Sequence, residues 1–156
     1  MYYRILLFAA ILGLWLQSCS RMDVYEKVAV IPGQEWDYSN KPSFTFHISD
    51  TASLYNIYVV LRHTDAYKYN NLWVKLEMQF PGDSMKGQNL DMVLGTDAKG
   101  WEGRGMDDIF EYRKVITPGP IPLRKAGDYT FRLSQIMREN PLEHILNVGV
   151  RVEKMH

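Results

Sequence analysis

Along most of this chain, apolar and polar residues alternate one by one, and this period of two restricts the fold more than any other feature. In the segment 72–80 every second residue is apolar, whereas Trp73, Lys75 and Glu77 fall between the apolar positions. Successive side chains of a β-strand point to opposite faces, so this alternation predicts a strand with one buried and one solvated face. The same pattern predicts seven further strands, at residues 24–31, 43–48, 55–64, 89–94, 109–116, 128–134 and 145–153.

Turn-forming residues separate these predicted strands, and helical signals are almost absent. One helical turn is predicted at residues 135–140, where Pro141 would stop it. Clean alternation favours antiparallel sheets, because parallel strands covered on both faces read as continuous apolar runs. The sequence therefore predicts an all-β fold, a jelly-roll-like antiparallel β-sandwich that forms a single domain over residues 24–156.

The N-terminal segment has the pattern of a lipoprotein signal peptide. Arg4 supplies a positive charge, and residues 5–16 form an unbroken apolar run. This run is too short to cross a hydrocarbon core of roughly 30 Å as a helix, but it suits the hydrophobic region of a signal peptide. It ends at Cys19, and this junction resembles a bacterial lipobox. We expect residues 1–18 to be removed and residues 19–23 to form a lipidated cysteine with a short tether; a plain signal peptide with an incidental cysteine is the alternative.

Composition excludes several classes of function. The chain has 18 basic and 18 acidic residues, which argues against nucleic-acid binding through phosphate contacts. A single cysteine excludes an internal disulfide and any multi-thiolate metal site. The four histidines have no metal-ligand spacing, and the Asp107–Asp108 pair lacks the pattern of a calcium loop. No nucleophile elbow or phosphate-binding loop is present, so we predict no catalytic residue, no metal and no cofactor.

Candidate partner-binding residues lie in two places. Trp73 falls on the polar face of its predicted strand, which makes it a candidate for an exposed aromatic contact. The second place is the glycine-rich segment 95–105, which holds Asp97, Trp101 and Arg104. Its tryptophan has two interpretations: a plug that pins the loop to the core, or a side chain presented to a partner.

Several local motifs, in this order, resemble one known family over nearly the whole chain. After the lipobox Cys19 come Trp36 and the strand around Asn56, and the motif at 69–73 (YNNLW) precedes the 97–103 loop. The motif at 127–131 (GDYTF) and the terminal VGVR at 148–151 complete the set. The chain resembles the GldH family of gliding-motility lipoproteins from the Bacteroidetes. This resemblance implies a lipoprotein of the gliding machinery, which is linked to type IX secretion, with no enzymatic activity or cofactor.

Three functions follow as hypotheses. The first is a non-catalytic structural or assembly component of an envelope machine, which would contact the membrane through acylated Cys19 and bind other envelope or gliding proteins. The second is a carbohydrate-binding jelly roll, which rests on fold analogy alone. A hydrolase would need a cleft with paired carboxylates, which the spacing does not indicate. Ser20 follows the cysteine in place of the aspartate that retains enteric lipoproteins in the inner membrane, so we expect the outer membrane, facing the periplasm.

Overall fold

The computed structural model describes residues 22–155, and within them the regular secondary structure is β-strand apart from one 3-10 turn. The predicted signal peptide and Cys19 lie outside the described residues. A 3-10 turn spans Pro32–Gln34. The strands are β1 Met22–Val30, β2 Glu35–Trp36, β3 Ser43–Ile48, β4 Leu54–Thr64, β5 Asn71–Gln79, β6 Lys86–Val93, β7 Gly95–Thr96, β8 Gly100–Trp101, β9 Arg104–Met106, β10 Ile109–Val115, β11 Ile121–Pro122, β12 Gly127–Gln135, β13 Leu142–Glu143 and β14 Ile145–Met155.

These strands form two packed antiparallel sheets. The six-stranded sheet has the order β1-β14-β4-β10-β9, with β11 paired to β4. The four-stranded sheet has the order β3-β12-β5-β6, and two short ladders, β13-β2 and β7-β8, flank the sandwich. Along the chain the eight long strands alternate between the two sheets, except at the β5-β6 hairpin in the four-stranded sheet, and this is the arrangement of a jelly roll. The predicted fold class is therefore confirmed.

The core forms where the apolar faces of the two sheets meet. In β3 the burial alternates strictly, with Phe44, Phe46 and Ile48 inside. The ring of Phe46 lies 5.4 Å from that of Phe131 in its own sheet and 5.3 Å from that of Tyr25 in the opposite sheet. Burying side chains of this size stabilises the fold by roughly 1.5–3 kcal/mol each. The core is therefore formed by the apolar residues at alternate positions of the strands.

All eight predicted strands are present, but the helical turn predicted at residues 135–140 is wrong. Gln135 ends β12, and the side chain of this buried residue organises the following loop. Its amide nitrogen donates to the carbonyl oxygens of Trp36 and Glu139, at 3.2 and 3.1 Å, and its amide oxygen accepts from the backbone of Met137 at 2.8 Å. The bonds to Glu139 and Met137 satisfy backbone groups of this loop, so the loop does not need a helical turn to pair them.

The long strands all run between two ends of the sandwich. We call the first the anchor end: it contains the start of β1 and the loops 49–53, 80–85 and 116–126. The far end contains the loops 31–42, 65–70, 94–108 and 136–144. Strands β4 and β14 have 11 residues each. At about 3.3 Å per residue, the two ends are roughly 35 Å apart.

Candidate functional site

The glycine-rich segment at the far end folds into two small hairpin-like ladders. Gly95 pairs with Trp101 in the β7-β8 ladder, and β9 continues the six-stranded sheet by pairing with β10. A Cβ on Gly95 would lie 2.6 Å from the carbonyl oxygen of Gly100. Gly103 has a φ of +103°, and a Cβ there would collide with the carbonyl oxygen of Glu111. The segment needs these two glycines because backbone approaches backbone too closely for a side chain.

Trp101 is half-buried and pins this loop to the sandwich. Its ring centroid lies 4.6 Å from that of His63 in an edge-on contact, and 6.1 Å from that of Phe110. Tyr67 closes the cluster at 6.3 Å. Of the two interpretations of this tryptophan, the geometry favours the plug.

His63, beneath Trp101, is the most deeply buried ionisable side chain of the cluster. Its Nδ1 lies 2.8 Å from the backbone oxygen of Thr64 and therefore carries the hydrogen that it donates. Within residues 22–155, its Nε2 has no hydrogen-bond partner. Burial lowers the pKa of His63 below its ordinary value, although the bond to Thr64 acts in the opposite direction. The imidazole is therefore neutral at physiological pH.

Trp73 lies on the outer face of the four-stranded sheet, where the alternation predicts it. The residue is 41% exposed, and its carbonyl oxygen accepts a 3.0 Å hydrogen bond from the amide of Ile136. Val93 is exposed on the same face, opposite Asn71 in the β5-β6 register. We call Trp73, Ile136 and Val93 the Trp73 patch. A shallow groove of about 360 Å³, lined in part by Tyr38, Lys41 and Lys75, runs beside Ile136.

The remaining two candidates lie in different places. Asp97 is exposed and accepts a 2.8 Å hydrogen bond from Asn70, which precedes β5, so it is tied to the same end of the strand that carries Trp73. Arg104 is exposed on β9, opposite Glu111 in register. The four sequence-predicted residues therefore do not form one contiguous surface. Trp73 and Arg104 lie on the outer faces of different sheets.

A network of ion pairs covers the outer face of the six-stranded sheet, and sequence reasoning missed it. Arg62 of β4 bonds Glu111 of β10 at 2.7 Å, and Arg113 bonds the other oxygen of Glu111 at 2.8 Å. Arg113 also reaches Glu26 of β1 at 3.3 Å, and Glu26 bonds Arg151 of β14. The network thus crosses four strands. In the sequence, this network is visible only as charged residues at alternate strand positions. That pattern does not show which charged residues pair with each other.

This network changes both the burial and the electrostatics of that face. Val60 points outward in β4, opposite Arg113 in register, yet it has no exposed surface. Long charged side chains can cover apolar surface in this way. Burial alone would raise the pKa of Glu111, but the hydrogen bond from Arg62 and the charges of Arg113 and Arg62 hold it below its ordinary value. Two grooves of about 380 and 430 Å³ meet at Arg104 beside the network.

Within the described range, 22–155, no three His, Cys, Asp or Glu side chains are grouped closely enough to hold a metal ion. Asp107 and Asp108 form the turn between β9 and β10, and Asp107 adopts a left-handed backbone conformation with φ of 57°. The same range contains no helix that is long and apolar enough to cross a membrane.

Among solved structures, the chain has a distant likeness to the VP2 subviral particle of infectious bursal disease virus. The TM-score is 0.40 at 10% sequence identity, and the match covers 88% of this chain but 32% of the viral chain. A likeness this weak carries no argument about function.

Comparisons of sequence are more informative. The chain is 27% identical over 144 residues to a protein of Christiangramia forsetii named "Gliding motility lipoprotein GldH homolog", covering 88% of this chain and 87% of that protein. It is 28% identical over 157 residues to "Gliding motility lipoprotein GldH" of Flavobacterium johnsoniae, covering 96% and 94%. The family model described as GldH lipoprotein matches residues 23–152, which is the described sandwich except Met22 and the last three residues of β14. The chain belongs to the GldH lipoprotein family.

Proposed function

We propose that this protein is a lipid-anchored component of the gliding machinery in the cell envelope, linked to type IX secretion, and that it acts by assembly with other envelope proteins and not by catalysis. The names of the two relatives support the association with gliding motility. The observation that carries the assembly role is the Trp73 patch, because three large apolar side chains are exposed together on an otherwise polar sheet face. Such patches on small soluble domains are typical of interaction sites.

Membrane attachment in this proposal occurs through Cys19. The lipoprotein family supports anchoring in general, and the apolar run followed by the cysteine supports this residue as the acylation site. We place the anchor in the outer membrane, with the sandwich facing the periplasm. Fractionation of the two membranes, with protease added to intact and to permeabilised cells, tests this placement. Cleavage of the sandwich in intact cells would contradict it.

The Trp73→Ala variant tests the assembly role. Truncating an aromatic anchor of an interface costs a complex ~2 kcal/mol or more, whereas a half-exposed side chain contributes less to the fold. We therefore expect a nearly unchanged melting temperature together with a clear loss of envelope proteins that co-purify from membranes. Met106→Ala is the matched control, since Met106 is 79% exposed but lies on the other sheet. If Trp73→Ala melts many degrees lower, or if both variants lose the same proteins, the Trp73 patch is not the assembly surface.

A carbohydrate-binding role is the second candidate. It is favoured by one observation: the exposed ring of Trp73 is flanked by a polar pair, in which Asn71 donates a 2.8 Å hydrogen bond to Asp91. An aromatic face beside such groups can stack on a sugar while the amide and carboxylate bind hydroxyls. Titration with a panel of glycans, monitored by tryptophan fluorescence in the native protein and in Trp73→Ala, separates the two candidates. Saturable quenching that disappears in the variant would favour carbohydrate binding.

A further inference from the structure

We propose that the anchor end of the sandwich is itself a lipid-binding surface, which rests on the phospholipid headgroups and holds the strands upright on the membrane. This inference rests on the proposed anchoring through Cys19. It goes beyond that anchoring because it assigns the contact to side chains of the folded domain.

The first argument is distance. Strand β1 begins at Met22, so Ser20 and Arg21 alone separate it from Cys19. A fully extended chain spans about 3.5 Å per residue, so three steps reach roughly 10 Å. Because β1 enters the sandwich at the anchor end, this end is held next to the headgroups.

The second argument is the apolar surface at this end. Leu54 opens β4 and is 43% exposed, and Phe80 follows β5 and is 36% exposed. The ring of Phe80 lies 5.2 Å from that of Tyr129, and the hydroxyl of Tyr129 donates to the backbone oxygen of Lys125 at 2.8 Å, so Tyr129 links the 80–85 loop to the 116–126 loop. Leu54 is paired with Pro122 of the same 116–126 loop. Val24, the extra residue of a bulge in β1, is also exposed near the start of that strand. Side chains of this kind partition into the headgroup region.

The third argument is charge. Each acidic side chain of the anchor-end loops is neutralised by a lysine: Asp50 by Lys154 and Asp83 by Lys125, both at 2.6 Å. Lys86 and Arg124 are exposed, and neither has an ion pair within the described residues. Asp128, at the start of β12, is also exposed at this end, where it bonds His47. Lys86 and Arg124 are therefore the cations that this end offers to anionic phospholipids.

The far end is more acidic than the anchor end, whose three loops contain two acidic and two basic residues. The four far-end loops contain nine acidic and five basic residues. Anionic headgroups would repel it, so charge and apolar exposure favour the same orientation. The balanced net charge of the chain conceals this asymmetry.

Hydroxyl-radical footprinting tests the orientation without added labels. The lipidated protein is reconstituted in vesicles of phosphatidylcholine with phosphatidylglycerol, and oxidation of each side chain is compared with that in detergent. We expect oxidation of Leu54 and Phe80 to fall several-fold, while Trp73 and Met106, on the outer faces of the two sheets, remain unchanged. Protection of Trp73 or Met106 to the same degree would mean that the sandwich lies on its side, and unchanged oxidation of Leu54 and Phe80 would mean that it does not rest on lipid. Either result overturns the proposal.

Charge variants provide the matched comparison. Lys86→Glu combined with Arg124→Glu should abolish most of the protection, whereas Lys99→Glu combined with Arg138→Glu, an equal change at the far end, should not. Equal effects would overturn the role of the anchor-end cations. Failure of the anchoring itself is recognised separately, by mass spectrometry of the intact protein, which would show a mass without acyl groups at Cys19. In that case the same thiol is coupled to a maleimide lipid, and the footprint is measured in the same way.

Discussion

At the scale of single residues, His63 combines complete burial with an ionisable ring. Burial lowers its pKa in the folded protein, whereas the unfolded chain has the ordinary value of about 6.5. As the pH falls through that value, the unfolded chain takes up a proton that the native protein does not. The free energy of unfolding should therefore decrease below neutrality, with a slope of up to about 1.4 kcal/mol per pH unit, until the pKa of the folded state is reached.

The measurement is urea denaturation between neutral and mildly acidic pH. His63→Phe keeps an aromatic ring in the cluster and should remove this acid sensitivity. His47→Asn changes an exposed histidine that bonds Asp128 at 2.7 Å, and it should leave the sensitivity in place. Carboxylates such as Glu111, whose pKa is lowered, lose their stabilising effect only below about pH 4.5, so the two effects occupy separate pH ranges. A slope that persists in His63→Phe would contradict the assignment.

Trp101 should prove structural when it is truncated. Trp101→Ala removes a half-buried ring that covers His63, so we expect a loss of roughly 2–3 kcal/mol, compared with 3–5 kcal/mol for a fully buried tryptophan such as Trp36. Water would then reach Nε2 of His63, and the acid sensitivity should diminish at the same time. Urea denaturation of Trp101→Ala and of Trp36→Ala, each at neutral and at mildly acidic pH, measures both the loss of stability and the change in acid sensitivity. A Trp101→Ala protein with native stability would restore the interpretation of Trp101 as a presented side chain.

At the scale of elements, the centre of the six-stranded sheet depends on a glycine in β14. Gly149 lies between Val28 of β1 and Val60 of β4, and a Cβ there would come within 2.5 Å of the backbone oxygen of Lys27. Gly149→Ala should therefore separate β1 from β14 and destabilise the protein by about 1–3 kcal/mol, measured by thermal denaturation. Gly119→Ala is the control, because a Cβ on Gly119 meets nothing within 4 Å. If Gly149→Ala and Gly119→Ala had equal melting temperatures, the sheet would be able to accommodate a Cβ at position 149 without loss of stability.

The elements also show how far the sequence predicts the structure. Strand β5 could be predicted because its side chains point alternately to the core and to solvent, and its apolar and polar residues alternate in the same way. The loop after β12 could not be predicted, because its conformation depends in part on the bond from Gln135 to Trp36 of β2, which is distant in sequence. The ion-pair network has the same origin, since Glu26 and Arg151 become neighbours only through the pairing of β1 with β14. Of the candidate site, the exposure of Trp73 followed from alternation, whereas the separation of Trp73 from Arg104 required the topology.

At the scale of the whole molecule, folding and anchoring should be separable. Cys19 precedes the first strand, so Cys19→Ser should leave a folded sandwich that no longer partitions into detergent. Incorporation of labelled fatty acid and phase partitioning measure the anchoring, and circular dichroism measures the fold. If the variant still incorporates fatty acid, the lipobox interpretation is wrong.

The placement of β1 has a mechanical consequence if the protein works in the gliding machinery as proposed. Tension between an acylated Cys19 and a partner on the Trp73 patch would enter the domain through β1 and pull it along its own axis. β1 is paired in antiparallel fashion with β14 over eight residue pairs, and β14 is paired in turn with β4. The hydrogen bonds of such a ladder are perpendicular to the strands. A load along β1 therefore acts on all of these hydrogen bonds at the same time, in shear, and does not break them one after another. The sandwich would transmit force as a stiff link in the direction in which its strands resist rupture best.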